Sequence, residues 1–169
     1  PSAVVNHTGN VKINAQSRDQ EVFGVYVHSA KPNKESGTDQ GGAANFSKEL
    51  NIKAVSANSN ATGIFVSGAP ITDENGEVLF TSGQASVNTS GDTTIVAAGK
   101  TASYALNAEA DGQITVGSTG KTVHLTGDIV AKNDGVINIA GKTNTINGIV
   151  KAVDGGTVNL SGASDAVYN

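Results

Sequence analysis

Three aspartates placed at regular intervals in the second half of the chain are the first residues whose type and spacing suggest chemistry. Asp111, Asp134 and Asp154 each precede a glycine. If they stack in one column, their carboxylates repel one another unless a cation such as Ca²⁺ or hydrogen bonds intervene. Asp-Gly is also ordinary turn chemistry, and the nine-residue Ca²⁺ repeat of glycine- and aspartate-rich solenoids is absent. We therefore predict turns with no metal and no other cofactor, and cation binding by this column stays open.

Candidate catalytic groups are few and scattered. Polysaccharide cleavage by a lyase needs cations and carboxylates clustered on one face, and the nearest approach to such a pair is Arg18 with Asp19. Serine-protease chemistry needs a serine, a histidine and an aspartate on a separate globular fold. The three histidines are isolated in the sequence, and Ser90-Gly91-Asp92 lacks the flanking pattern of a nucleophile turn. We predict no catalytic residues and no enzymatic activity.

Composition excludes several classes of protein. The 169 residues suffice for one domain, and 37% hydrophobic but only 4% aromatic residues with 21 glycines suit thin layers filled by Val, Ile and Ala. A net charge of −4 with a single arginine argues against nucleic acid and anionic membranes as partners. The absence of cysteine removes disulfides and thiolate metal sites, and no apolar run approaches the roughly 20 residues of a membrane span. Because the chain opens at Pro1 without Met, we expect a piece of a larger or processed protein.

The elements that must position any site are set by a short repeated pattern, Gly-x-aliphatic-polar-aliphatic. Copies begin at Gly135 and Gly156, 21 residues apart, which is a solenoid period. Earlier copies begin at residues 9, 48, 83 and 112, so the spacing falls from 39 to 21 residues over six copies. Positions three and five are apolar, the alternation of a strand with one buried face. The side chains predicted to point inward are Leu50, Ile52, Ile114, Val116, Ile137, Ile139, Val158 and Leu160.

Two further strand patterns recur between these copies. A second strand begins at residues 24, 63, 103, 128 and 148, and a third fits at residues 122 and 143. Three short strands per repeat predict an all-β fold, a right-handed parallel β-helix (β-solenoid) of six coils, whose hand follows from the right-handed crossover rule. We predict a single β-helix segment over 1–169, with insert-bearing coils over 1–82 and regular coils over 83–169.

Two inserts interrupt the repeat, at 29–46 and 68–82. Each follows the second recurrent strand, so both should leave the solenoid at the same corner on adjacent coils. The second insert carries Asn75-Gly76, a two-residue hairpin signal between Ile71 and Phe80, whereas the first is polar, Gly-rich and predicted to be an irregular loop. Since loops on a rigid scaffold can carry specificity, we predict that a partner binds the lateral face that the inserts form. The alternative is that the inserts only shield a strand edge and bind nothing.

Aromatic residues beside the inserts belong to the same predicted face. Tyr26 and Phe65, with Tyr104 as a third candidate, alternate against inward-pointing neighbours and should form an outward aromatic ladder. We expect the inserts to fold down and cover this ladder, and the alternative is that it stays exposed as a platform for a partner. The predicted ligand-binding residues are Tyr26, Phe65, Lys34, Glu35, Asp73, Glu74 and Asn75.

Five Asn-x-Ser/Thr motifs occur along the chain. They begin at Asn6, Asn45, Asn60, Asn88 and Asn159. In a chain so rich in Asn, Ser and Thr, chance explains most of them, and in a bacterial protein the motif would be largely irrelevant.

The segments 127–144 and 148–164, GDIVAKNDGVINIAGKTN and GIVKAVDGGTVNLSGAS, resemble the passenger region of bacterial autotransporters, the adhesin class of type V secretion. The phrase Asp-Gly-Gly-Thr-Val-Asn-Leu-Ser-Gly at 154–162 is typical of their β-helical repeats. The likeness lies in repeat style, strongest over 83–169, and not in a catalytic motif. It implies a protein of the cell surface, outer membrane or extracellular space that is usually adhesive. It also implies membrane attachment only through a C-terminal barrel that this chain does not contain.

We therefore expect a cell-surface adhesin or scaffold module. The expected partners are a host surface protein or glycan, or a second copy on a neighbouring cell, and not nucleic acid. The alternative is a carbohydrate-active β-helix enzyme or a phage tailspike fragment. An enzyme should show a groove with several clustered carboxylates, whereas a stalk should show dispersed ones.

Overall fold

A computed structural model describes residues 3–32 and 41–168. The described residues contain β-strands and no helix, so they include no helix that could cross a membrane. In chain order the strands are β1 (Val4–His7), β2 (Val11–Ser17), β3 (Val22–His28), β4 (Ala30–Pro32), β5 (Gly42–Phe46), β6 (Leu50–Ser56), β7 (Ala61–Ser67), β8 (Ile71–Thr72), β9 (Val78–Ser82), β10 (Ala85–Thr89), β11 (Thr93–Gly99), β12 (Ser103–Glu109), β13 (Gly112–Val116), β14 (Thr122–Thr126), β15 (Asp128–Lys132), β16 (Val136–Ile139), β17 (Thr143–Val153), β18 (Thr157–Leu160) and β19 (Ala163–Tyr168).

Parallel pairing between strands that are distant in sequence organises the chain into three ladders. The first ladder is a six-stranded sheet of β1, β5, β10, β13, β16 and β18. The second contains β2, β6, β11 and β14, and the third contains β3, β7, β12 and β15. The long strand β17 pairs with β14 through its first half and with β15 through its second, which joins the second and third ladders into one sheet. Along the chain, successive ladder strands belong to the first, second and third ladder in turn. The fold is therefore solenoid-like; it is all-β, mostly parallel and nearly closed.

The predicted inward side chains form the core. Leu50, Ile52, Ile114, Val116, Ile137 and Ile139 are buried. Val158 and Leu160, on the last strand of the first ladder, are half-buried and pack against the same core cluster. Strict alternation places every second residue of a strand in the interior, so the prediction of the buried face is confirmed.

Two glycines explain why the repeat begins with this residue. Gly135 and Gly156 stand where the chain turns from the third ladder into a strand of the first. A Cβ atom on Gly135 would overlap the carbonyl oxygen of Ala108, and one on Gly156 would overlap that of Ala131. The turn therefore brings the backbone so close to the preceding third-ladder strand that a side chain does not fit.

The first two copies of the repeat were assigned to the wrong ladder by the sequence pattern. The strand after residue 9 is β2, which pairs with β6, and the strand after residue 48 is β6, which also pairs with β11. Both therefore belong to the second ladder, and β1 and β5 are the first-ladder strands of these repeats. A third strand per repeat is thus present in the wide repeats as well as in the tight ones. The first-ladder positions in register are Val4, Ala43, Ser86, Gln113, Val136 and Thr157, which lie 39, 43, 27, 23 and 21 residues apart.

Asparagines form a hydrogen-bonded row on the outward face of the first ladder. The Asn45 side-chain amide donates to the Asn6 oxygen (2.8 Å), and the Asn88 amide donates to Asn45 (2.9 Å). Farther along, the Asn159 amide donates to Asn138 (2.9 Å). Four of the five Asn-x-Ser/Thr motifs start at these positions. The motif is therefore explained by the repeat itself: an outward Asn, an inward residue, then Ser or Thr at the corner.

Candidate binding site

The two inserts meet in a small antiparallel sheet outside the solenoid. Strand β4 follows β3, strand β8 follows β7, and β9 pairs with both β4 and β8. Lys31 lies opposite Thr81, and Ile71 lies opposite Phe80. The prediction that both inserts leave at the same corner of adjacent repeats is confirmed.

The first insert is shorter than predicted. Residues 42–46 of the expected insert 29–46 are strand β5, whose Ala44 and Phe46 are buried in the core. The alternation of small and aromatic residues in this strand was obscured by the surrounding polar sequence. Residues 33–40, which include the predicted binding residues Lys34 and Glu35 and most of the predicted irregular loop, lie outside the described residues.

The second insert is a hairpin, as Asn75-Gly76 predicted, but its loop has five residues and not two. Strand β8 ends at Thr72 and β9 begins at Val78. The Asp73 carboxylate accepts hydrogen bonds from the backbone amides of Asn75 (2.9 Å) and Glu77 (2.8 Å). Gly76 has φ of 82°, a left-handed value that glycine adopts freely. Asp73 and Asn75 thus shape the turn, and Glu74 is exposed at its tip.

Exposed apolar side chains cover the hairpin, a feature that the sequence patterns did not reveal. Leu79 is 49% and Val78 42% exposed, and Ile71 and Phe80 are each 37% exposed. Among residues 3–32 and 41–168, the hairpin strands pair only with β4 and with each other, in a three-stranded sheet. Contiguous exposed apolar residues of this kind mark interaction surfaces in soluble proteins.

Tyr26 and Phe65 are neighbours in register on the outward face of the third ladder. Their rings stack at 5.1 Å between centroids with 18° between planes. Phe23 packs edge-on against both rings, at 5.1 and 5.6 Å. Tyr26 remains 54% exposed, so the expectation that the inserts cover this ring is wrong, and the ring is available to a partner. His28 lies two residues after Tyr26 on β3, and its Nε2 atom is 2.9 Å from the carbonyl oxygen of Ala69 in the second insert.

Tyr104 does not continue this aromatic ladder. It pairs with Thr62 and Asp128, and the position in register with Phe65 is Asn107. The offset between β12 and β7 is constant, so Tyr104 lies three residues before the position that faces Phe65. A one-residue register shift between Tyr104 and Leu106 affects only the pairing of β12 with β15. The aromatic row is therefore confined to the first two strands of the third ladder.

The prediction of an aspartate column is confirmed for Asp111 and Asp134 and wrong for Asp154. Asp111 and Asp134 hold equivalent turn positions with φ of 62° and 63°, which confirms their turn role. Asp154, with φ of 49°, aligns instead with Asn133, also at 49°, and Gly155 takes the third place in the column. Within 3–32 and 41–168, no three His, Asp or Glu side chains are grouped to hold a metal.

A polar cleft lies where the insert sheet meets this turn. Its volume is about 370 Å³. The lining residues are Asp111, Asp134, Gln84, Gln113 and Val136 from the solenoid, with Lys31, Ser82 and Gly83 from the inserts. Apart from the aspartates, the sequence patterns did not single out these residues, because the cleft forms between segments of very different sequence position.

The residues considered for catalysis occupy unrelated places. Asp92 accepts hydrogen bonds from the Thr122 backbone amide (2.9 Å) and hydroxyl (3.2 Å). The backbone hydrogen bond is the main reason that the pKa of Asp92 is lowered, and the Thr122 hydroxyl and the positive charge of Lys121 act in the same direction. The Asp19 carboxylate accepts a hydrogen bond from the Asn58 amide (2.7 Å).

The three histidines likewise lie in separate parts of the fold. His7 stacks on Phe46 at 6.2 Å between ring centroids, and His28 contacts the second insert. His124 is exposed on the second ladder, as its alternation with Val123 and Leu125 predicted.

Comparisons of the chain with protein-family models, with curated proteins and with solved structures find no significant match. Function is therefore inferred from the fold and from these surface features.

Proposed function

We propose that the chain is a segment of a right-handed parallel β-helix of six coils that acts as an adhesive or scaffold module of an autotransporter-like surface protein. Three parallel ladders visited in cyclic order support the β-helix, and the right-handed crossover rule supports its hand. The likeness of 127–144 and 148–164 to autotransporter passengers supports the cellular setting. A crystal structure tests the finer fold, and a left-handed crossover between ladders would refute it.

The observation that carries the proposed function is the insert surface. The hairpin presents Leu79 and Val78 to solvent, and Tyr26 is more than half exposed beside the root of the inserts. Apolar and aromatic side chains held on a rigid framework lose little conformational entropy on binding, and aromatic residues are enriched at binding hot spots. The surface suits a protein partner, a glycan, or a second copy on a neighbouring cell.

A hairpin replacement tests this function without disturbing the solenoid. The Gly83 backbone amide donates a hydrogen bond to the Gly68 carbonyl oxygen at 3.0 Å. Two residues between these glycines would retain that bond as the closing bond of a tight turn. Replacing 69–82 by Asn-Gly therefore removes the hairpin while leaving the flanking strands in place.

The assay measures adhesion of protein-coated fluorescent beads to epithelial cells and to beads coated with the same chain. We expect binding by the unaltered chain, at least a fivefold loss in the hairpin replacement, and a smaller loss in Leu79→Ser and Tyr26→Ser. His124→Ser, an exposed substitution on the second ladder, is the matched control and should bind normally. Far-UV circular dichroism verifies folding. Undiminished adhesion of the hairpin replacement, or no adhesion by the unaltered chain, would overturn the proposal.

A further inference from the structure

We propose that the polar cleft between the insert sheet and the aspartate turn binds a neutral saccharide. This site adjoins the hairpin through Ser82 but includes neither its exposed apolar side chains nor the Tyr26 ring, and it goes beyond the adhesive function proposed above. Its lining combines carboxylates, carboxamides, a hydroxyl and an ammonium group around about 370 Å³ of space.

The repeat of the solenoid places the key groups at a regular spacing. Gln113 and Val136 are partners in register on adjacent strands, so Asp111 and Asp134 stand one strand apart in the preceding turn. Parallel strands lie about 4.8 Å apart, a distance on the scale of one sugar ring. Two carboxylates at this spacing can accept hydrogen bonds from hydroxyl groups on opposite edges of a single ring.

The turn after Asp134 has no side chain at the equivalent position. Gly155 occupies the equivalent position there, with φ of 80°. A Cβ atom on Gly155 would overlap Oδ1 of Asp134. The carboxylate of Asp134 therefore lies over the glycine, in the space that a side chain would fill. Asp134 itself is exposed, so a ligand can reach its carboxylate from solvent.

The acidic and carboxamide side chains of the cleft do not hold the repeats of the solenoid together. The carboxylates of Asp92 and Asp128 each accept a hydrogen bond from a backbone amide of the next repeat, at 2.9 Å in both cases. By contrast, within the described residues the side chains of the cleft's two aspartates and two glutamines make no hydrogen bond or ion pair. These four side chains are Asp111, Asp134, Gln84 and Gln113. Their hydrogen-bonding groups thus remain available on one surface.

The mixture of groups selects the class of ligand. Carboxylates only accept hydrogen bonds, whereas carboxamides both donate and accept. Sugar hydroxyls match both kinds, and the C–H face of a ring can lie against the half-buried Val136. Two carboxylates repel uronates and sulfated sugars. Ca²⁺ needs six to eight oxygen ligands, and no third acidic residue joins the described pair.

The binding test uses saturation-transfer difference NMR on the whole chain, followed by titration. The probes are neutral mono- and oligosaccharides of glucose, galactose, mannose and N-acetylglucosamine, with glucuronate and CaCl₂ alone as separate arms. We expect transfer to at least one neutral sugar and none to glucuronate. Gln113→Ala and the double variant Asp111→Asn/Asp134→Asn should each weaken binding at least tenfold. Asparagine tolerates the positive φ of both aspartates, so the double variant should stay folded.

Asp154→Asn is the matched control, since this exposed aspartate lies one turn position away and outside the cleft lining. It should change affinity less than twofold. Absence of transfer to every neutral sugar, sugar binding that survives the cleft variants, or binding of Ca²⁺ alone would overturn the inference. Bead adhesion of Gln113→Ala separates the two proposals, because it should persist if the hairpin carries adhesion.

Discussion

Replacing Ile137 by alanine should destabilise the protein by about 3–4 kcal/mol. Ile137 is fully buried, and its register partners Ile114 and Val158 lie on the strands on either side. The change removes three carbon atoms, which costs about 2.4 kcal/mol at about 0.8 kcal/mol each. Hydrogen bonds to both neighbouring strands keep the backbone from closing over the vacated space, so a cavity term raises the total.

The neighbouring substitution Asn138→Ala is the control. Asn138 points outward and its side chain takes part in the asparagine row, so the expected loss is about 1 kcal/mol. Both free energies of unfolding are measured by urea titration followed with far-UV circular dichroism. Because strands of a solenoid contact mainly their neighbours, the Ile137→Ala loss should appear as earlier unfolding of the C-terminal strands. A larger loss in Asn138→Ala than in Ile137→Ala would mean that the alternation of β16 is assigned one residue out of phase, and equal losses would refute the reasoning from burial.

Three further changes test the turns and the outward row. Asp92 has a lowered pKa because Thr122 donates to it, so its stabilisation is present above the unfolded-state pKa and is lost as pH falls through the folded-state pKa; Asp92→Asn should flatten the acid side of a plot of melting temperature against pH. Gly135→Ala should cost about 2 kcal/mol or more, because its Cβ would overlap a backbone carbonyl, whereas Gly9→Ala, with open space around it, should be nearly neutral in thermal melts. Asn45→Asp loses the amide donor of the row and should cost about 1 kcal/mol in urea titration.

Much of the fold could be predicted because its signals are local. Alternation of apolar and polar residues requires only neighbouring positions, so the buried face of the strands around Ile114 and Ile137 followed directly from the sequence. Asn75-Gly76 likewise predicted the hairpin. The common exit of the two inserts followed from their equal place in the repeat.

Ladder membership could not be predicted in the same way. Strands of all three ladders share the same alternation, so the copies at residues 9 and 48 matched a pattern that belongs to another ladder. The one-residue offset of Asp154 has a similar cause, since Asp-Gly supplies a turn whether its aspartate takes the first or the second left-handed position. The register that places Asn107, and not Tyr104, beside Phe65 is also invisible to local periodicity.

The sequence by itself determined the all-β character, the inward side chains and the positions of the inserts. Only the tertiary structure decided which outward residues become neighbours. Tyr26 meets Phe65, and Lys31 lines a cleft with Asp111, through pairing of strands that lie far apart along the chain. The physical reason is that backbone hydrogen bonds between ladder strands are nearly independent of side-chain identity. Side chains therefore determine which face is buried, whereas the length of each connection and the register of each pair determine what assembles on the exposed face.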